Sequence, residues 1–186
     1  MATKIYIDQG HNPENPNAGA EGNGLQEQTI TYRVGQALAE LLRANPDFEV
    51  RLSRPTPTTT LGTSNSTSLQ ARVNDANAWG ADYFISIHTN ASAIPEATGV
   101  EAFAYSRPSR AFSLGEDIVN NLSAVTGLND RGMKVRPGLY VLRRTNMPAV
   151  LVEIGFISNP SDAALMDSNP ALFARGIYDG ILEYLG

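Results

Sequence analysis

Only two histidines occur in the chain, and each stands at the end of an apolar run: "IYIDQGH" passes through Asp8 to His11, and "DYFISIH" ends at His88. Such runs read as buried strands, and ligands of open α/β sheets bind beyond the carboxyl ends of the strands. Two imidazoles gathered there suggest a metal. Catalytic zinc generally takes three protein ligands and leaves a fourth position to water; with no cysteine present, the third must be a carboxylate. Glu27 precedes Ile30 by three positions and Val34 by seven, which puts it on the apolar face of a helix, where a carboxylate is costly unless paired or coordinated. A first-turn position that merely complements the helix dipole is the alternative. Glu153 interrupts "PAVLVEIGF", apolar on both sides. A charge in such a strand is expected to be ion-paired, for instance with Arg143 or Arg144, to bind a metal, or to serve as an acid and base.

The elements that must position these groups alternate along the chain. Strands are predicted at "KIYID", "FEVRLSR", "DYFISIH", "VEAFAYS", "GLYVLRR" and "AVLVEIGF". Helices are predicted from Leu25 to Leu42, after Ser68 up to Gly80, from Ser109 to Thr126, and from Asn169 and Pro170 to the end, each with apolar residues at helical spacing. The pattern specifies an α/β fold: a single, six-stranded, mostly parallel twisted sheet flanked by helices on both faces. At 186 residues and 42% apolar composition, residues 1–186 are expected to form one catalytic domain with a substantial core. The stretch from Arg54 to Ser68, "RPTPTTTLGTSNSTS", has no hydrophobic period and reads as a long loop, either a plain surface connection or the rim of a groove.

A net charge of −5 argues against nucleic acid, which needs a basic face. No segment reaches membrane-spanning length, and "MATK" is not followed by a signal-peptide core. Gly19, Gly22 and Gly24 match neither the dinucleotide nor the phosphate-loop pattern, and no G-x-S-x-G is present.

In order, "DQGH", "LQEQ", "SIHTNAS", "GVEAF", "GLYVLRRTNMPAVLVEIGFISN" and "ARGIYDGILEYLG" resemble the zinc-dependent N-acetylmuramoyl-L-alanine amidases of peptidoglycan, the type 3 amidase family. The resemblance covers nearly the whole chain. It implies one Zn2+ held by His11, Glu27 and His88, with Glu153 as the catalytic glutamate. Arg54 and Arg72 match family positions as framework or substrate-side residues, and Arg72 and Asn90 are the candidates for substrate binding. Gln9 and Asn12 replace the proline and glycine that usually flank the first histidine, so the turn after the first strand is expected to differ in shape. The interval between His88 and Glu153 is filled by strand and helix patterns, leaving little room for a helical plug, so an open site is expected.

The implied function is hydrolysis of the amide between N-acetylmuramic acid and L-alanine, by a monomer acting on polymeric peptidoglycan. The implied location is extracellular, in the cell wall or periplasm, reached through a leader missing from this chain or a non-classical route such as phage lysis. A zinc carboxypeptidase-type hydrolase acting on another stem-peptide bond is the competing enzyme; a non-catalytic peptidoglycan-binding module is the competing non-enzyme.

Overall fold

A computed structural model describes residues 1–186. The elements in order are β1 (Thr3–Gln9), β2 (Glu21–Gly22), β3 (Leu25–Gln26), α1 (Glu27–Arg43), β4 (Phe48–Leu52), α2 (Asn65–Trp79), β5 (Tyr83–Asn90), β6 (Val100–Ala104), α3 (Arg110–Thr126), β7 (Asp130–Val135), α4 (Tyr140–Arg144), β8 (Ala149–Phe156), α5 (Pro160–Ser168) and α6 (Pro170–Leu185). Six strands form one sheet in the order β4-β1-β5-β8-β6-β7. The first four are parallel; β6 runs antiparallel to β8, and β7 parallel to β6.

Side-chain alternation along the strands divides the core in two. Ile5, Ile7, Ile85, Ile87, Val150 and Val152 pack with residues of α1, α3 and α6, whereas Tyr6, Phe84, Phe103 and Leu151 pack with α2 and α4. Helices therefore cover both faces. By the same alternation, Asp8, Ser86, His88, Glu153 and Glu101 lie on the α2/α4 side. His88, Glu153 and Glu101 are direct register partners across β5, β8 and β6, so they form one row near the ends of those strands.

The connections explain why a site arises there. From β1 the chain crosses through α1 to β4 on one side, then returns through α2 to β5 on the other side of β1. The order reverses between β1 and β5, and this switch point opens a crevice beyond their carboxyl ends.

Three expectations are corrected. "GLYVLRR" is not a strand: Tyr140–Arg144 is a short helix whose Val141 and Leu142 are buried in the second core cluster. A four-residue apolar run fits one turn of helix as well as a strand. The sixth strand is instead β7, Asp130–Val135, an edge strand carrying Asp130, Arg131 and Lys134, and such charges protect an open edge from further pairing while hiding the strand pattern. The second helix begins at Asn65 rather than after Ser68, because Ser64 accepts from the Thr67 N–H and Thr67 reciprocates in a capping box.

Candidate active site

His11 lies just past the end of β1 with a φ of 69°, a left-handed backbone uncommon outside glycine and typical of residues whose placement is enforced. The preceding Gly10 is needed for close approach: a Cβ there would sit 2.6 Å from both the His88 Cε1 and the Ile87 carbonyl oxygen. Glu27 is the first residue of α1 and is 4% exposed. Its Oε1 accepts from the Thr89 N–H at 2.9 Å and its Oε2 from the Ala20 N–H at 2.9 Å. Those two main-chain donors fix the carboxylate plane. His88 Nδ1 then lies 3.2 Å from Oε1, and His11 Nε2 lies 3.2 Å from Oε2. Donor atoms of the three residues fall within 4.8 Å of one another, and the histidine side chains remain 21% and 18% exposed.

Burial by itself raises the Glu27 carboxyl, but the hydrogen bonds and charges of His11 and His88 outweigh it and hold the group well below the usual carboxylate range. Two borderline nitrogens and a hard, ionised oxygen, drawn from three elements with one side open, form a donor set that can hold a divalent metal ion. Gly19 closes the other flank, where a Cβ would meet Glu27 Oε2 at 2.8 Å and His11 Cδ2 at 3.0 Å.

Glu153 stands beside His88 in the row. It makes no ion pair, and its Oε2 is buried without a hydrogen-bond partner. Arg143 is instead placed over the Tyr140 ring, and Arg144 contributes its carbonyl oxygen to Asn77, so the ion-pair alternative is set aside. Burial pushes the Glu153 carboxyl up to about 7, a rise that His88 opposes and Glu27 reinforces.

Arg72 reaches the site from behind. It is 1% exposed, donating from Nη1 to Asp8 Oδ1 and the Gln9 carbonyl, both at 2.7 Å, and from Nη2 to the His11 carbonyl at 2.7 Å and Asn12 Oδ1 at 3.2 Å. Asp8 also accepts from Ser86 Oγ at 2.7 Å. Burial raises the Asp8 carboxyl, yet Arg72 more than cancels this and holds it below its ordinary value. Arg54, 2% exposed, donates from Nη1 to the Gln28 carbonyl at 3.0 Å and from its backbone to Gln9 Oε1 at 2.8 Å. Neither arginine opens onto the crevice. Asn90 donates to Glu101 Oε1 at 2.6 Å, so its amide is engaged by the protein.

The two unusual flanking residues are ties. Gln9 links β1 to α1 through the Tyr32 carbonyl and to Arg54. Asn12 accepts from the Leu61 N–H at 3.0 Å and donates to the Leu61 carbonyl at 2.9 Å, pinning the loop after Arg54 to the His11 turn. Sequence reasoning did not assign Asp8, Gln9, Asn12 or Glu101 a role. Their signal was present as polar residues within or beside apolar strands, for which burial demands partners.

A His–Glu–His donor set open on one side, with a partnerless carboxyl poised near neutrality beside it, suits the addition of water to a carbonyl followed by proton return to the leaving group. That defines the class as hydrolases built on a His–Glu–His donor set. Residues 5–183 match the type 3 amidase family (Amidase_3), N-acetylmuramoyl-L-alanine amidase. The chain is 39% identical over 183 residues to the N-acetylmuramoyl-L-alanine amidase CwlM of Bacillus licheniformis, covering 96% of this chain and 67% of that protein. It is 36% identical over 184 residues to a sporulation-specific N-acetylmuramoyl-L-alanine amidase of Bacillus subtilis, covering 96% and 66%. The chain thus spans about two thirds of the length of these relatives. Among solved structures, an N-acetylmuramoyl-L-alanine amidase of Clostridium difficile 630 superposes with a TM-score of 0.87 at 30% identity, covering 99% of this chain and 97% of that one. The chain belongs to the N-acetylmuramoyl-L-alanine amidase family.

Proposed function

We propose that the chain hydrolyses the amide joining the lactyl group of N-acetylmuramic acid to L-alanine in peptidoglycan, with one Zn2+ held by His11, Glu27 and His88. When bound there, zinc would act as a Lewis acid and would lower the pKa of a bound water to about 7. Glu153 is the proton carrier: its carboxylate takes a proton from the attacking water and passes it to the departing nitrogen, leaving a lactyl carboxylate and a free L-alanine amine. A carboxyl near 7 can do both at neutral pH, since proton transfer works best when the group's affinity matches the surroundings. The observation that carries this reading is the unpartnered Glu153 carboxyl beside the His11–Glu27–His88 donor set.

Arg72 acts in this scheme as a positioning residue rather than a substrate contact, because its guanidinium is consumed by Asp8 and by the turn that carries His11. The crevice is flanked by the segment after Arg54 and by residues 91–99, an open form suited to a polymer. The substrate lies outside the cytoplasmic membrane, so the chain acts there, in the wall or periplasm; no helix is long and apolar enough to cross a membrane. The test is a muropeptide digest with and without a chelator, beside elemental analysis. New L-alanine amino termini that vanish on chelation and return with zinc are expected. Release of carboxyl-terminal amino acids instead would assign a carboxypeptidase, and new reducing sugar ends alone would exclude the amide bond as target.

A further inference from the structure

The row of His88 and Glu153 does not stop at the catalytic glutamate. Its next member, Glu101, is 5% exposed and fully engaged: Oε1 accepts from Asn90 at 2.6 Å, Oε2 pairs with Lys134 Nζ, and Arg131 Nε lies 3.8 Å away. Two cations on one carboxylate leave a net positive charge in a chain whose overall balance is −5. Both are partly exposed, Lys134 at 41% and Arg131 at 39% of the side chain. Lys134 is the register partner of Phe103, which packs in the α2/α4 core cluster, so the ammonium belongs to the same sheet face as Glu153. One of its three protons goes to Glu101, and two remain for a ligand.

We propose that Lys134, supported by Arg131, binds a carboxylate of the substrate's stem peptide and that Glu101 is the positioning residue that holds the ammonium in place. This rests on the amidase reading given above. Strands lie about 4.8 Å apart, so β6 and β7 are about 5 and 10 Å from the strand that bears Glu153. An extended peptide advances about 3.3 Å per residue, which places the contacted carboxylate on the second or third residue beyond the cleaved bond. Glu101 provides the reason for the lysine's fixed position: a buried carboxylate anchored at its other oxygen by Asn90 restrains a flexible four-carbon chain that would otherwise be mobile at an open edge.

Two synthetic muramoyl-L-alanyl dipeptides test this, one with a free carboxylate on the second residue and one with that group as a carboxamide. The zinc-loaded wild type is expected to favour the free acid by about 10-fold in kcat/KM, the scale of one partly exposed charge-assisted hydrogen bond. Lys134→Met should abolish that preference through KM, and Lys134→Arg should retain it. Because Lys134→Met leaves Glu101 less compensated, the double variant Glu101→Gln with Lys134→Met removes both charges and should show the same lost preference in a well-folded protein. An unchanged preference in either, or none in the wild type, overturns the proposal. If the wild type cleaves neither compound, the amidase reading fails; calorimetric titration with the acidic dipeptide then decides, with binding about 10-fold weaker in Lys134→Met expected and equal binding overturning the subsite.

Discussion

Replacing Glu153 by glutamine should raise stability while destroying activity. The side chain keeps its shape, and no ion pair or hydrogen bond to Oε2 is lost, because none exists. What disappears is a desolvated carboxylate. Folding moves this carboxyl from an ordinary 4.5 up to about 7, and at 1.36 kcal/mol per pH unit that difference amounts to about 3 kcal/mol as an upper bound. Between those two pH values the folded state binds the extra proton, so stability falls as pH rises through the window; the penalty is complete above about 7 and absent below about 4.5. In chelated protein, Glu153→Gln should therefore melt higher than wild type at pH 8, by up to about 3 kcal/mol in urea denaturation, and alike at pH 4. Zinc-loaded, the variant should keep about one metal per chain and lose turnover by about 10² to 10⁴, the usual worth of acid and base help. A variant that unfolds earlier than wild type at pH 8 would show that the carboxylate has a partner, and one that retains near-normal turnover would remove Glu153 from the chemistry.

Alanine at His11, Glu27 or His88 should lower bound zinc well below one per chain and abolish activity; full zinc occupancy in His88→Ala would dismiss the donor set. Chelation should leave the far-ultraviolet circular dichroism intact at room temperature, since the largest core cluster alone unites 29 buried residues and does not depend on the site; loss of that signal would make the metal structural. Arg72→Met should cost about 3 to 5 kcal/mol, because it strands the buried Asp8 charge, whereas Asp8→Asn should flatten acid unfolding: the stability due to a depressed carboxyl is present above the ordinary carboxylate range and lost as pH falls through the folded value. Gly19→Ala should weaken zinc affinity in equilibrium titration, its methyl group falling 2.8 Å from Glu27 Oε2; unaltered affinity would mean the loop yields freely.

Local pattern carried the sheet a long way. The apolar runs "KIYID" and "AVLVEIGF" and the position of both histidines at strand ends were enough to anticipate that His11, Glu27 and His88 come together, because burial and charge conflict visibly at those positions. Where burial did not impose a pattern, reading failed. In β7, Asp130, Arg131 and Lys134 mask the strand, and only pairing with β6 defines it. The helix at Pro160–Ser168 lacks a clear apolar stripe, although Asn159 caps it and Pro160 opens it, the same signature that reveals the following helix at Asn169 and Pro170. The hairpin of β2 and β3 was likewise marked by Asn23 and Gly24, both at positive φ, the pair that a tight two-residue turn requires.

Arg72 illustrates what sequence alone leaves open. A lone arginine in "LQARVNDAN" is equally compatible with gripping an anionic ligand and with bracing the chain; the choice depends on where α2 docks. Here the helix brings the guanidinium beneath the β1 turn, and Asp8, the charge that breaks the first apolar strand, is its counterion at 2.7 Å. The pair stabilises a His11 backbone that is unfavourable alone, by about 1 to 3 kcal/mol for a non-glycine residue held in a sparsely populated region. Hydrogen bonds from one guanidinium to the carbonyls on either side of Gly10 fix the turn's direction, and Thr31 Oγ1 donates to the Gly10 carbonyl between them at 2.8 Å. The first imidazole is thereby aimed at Glu27 by contacts within the chain, and side chains held in place by their own neighbours lower the ordering cost of binding a ligand.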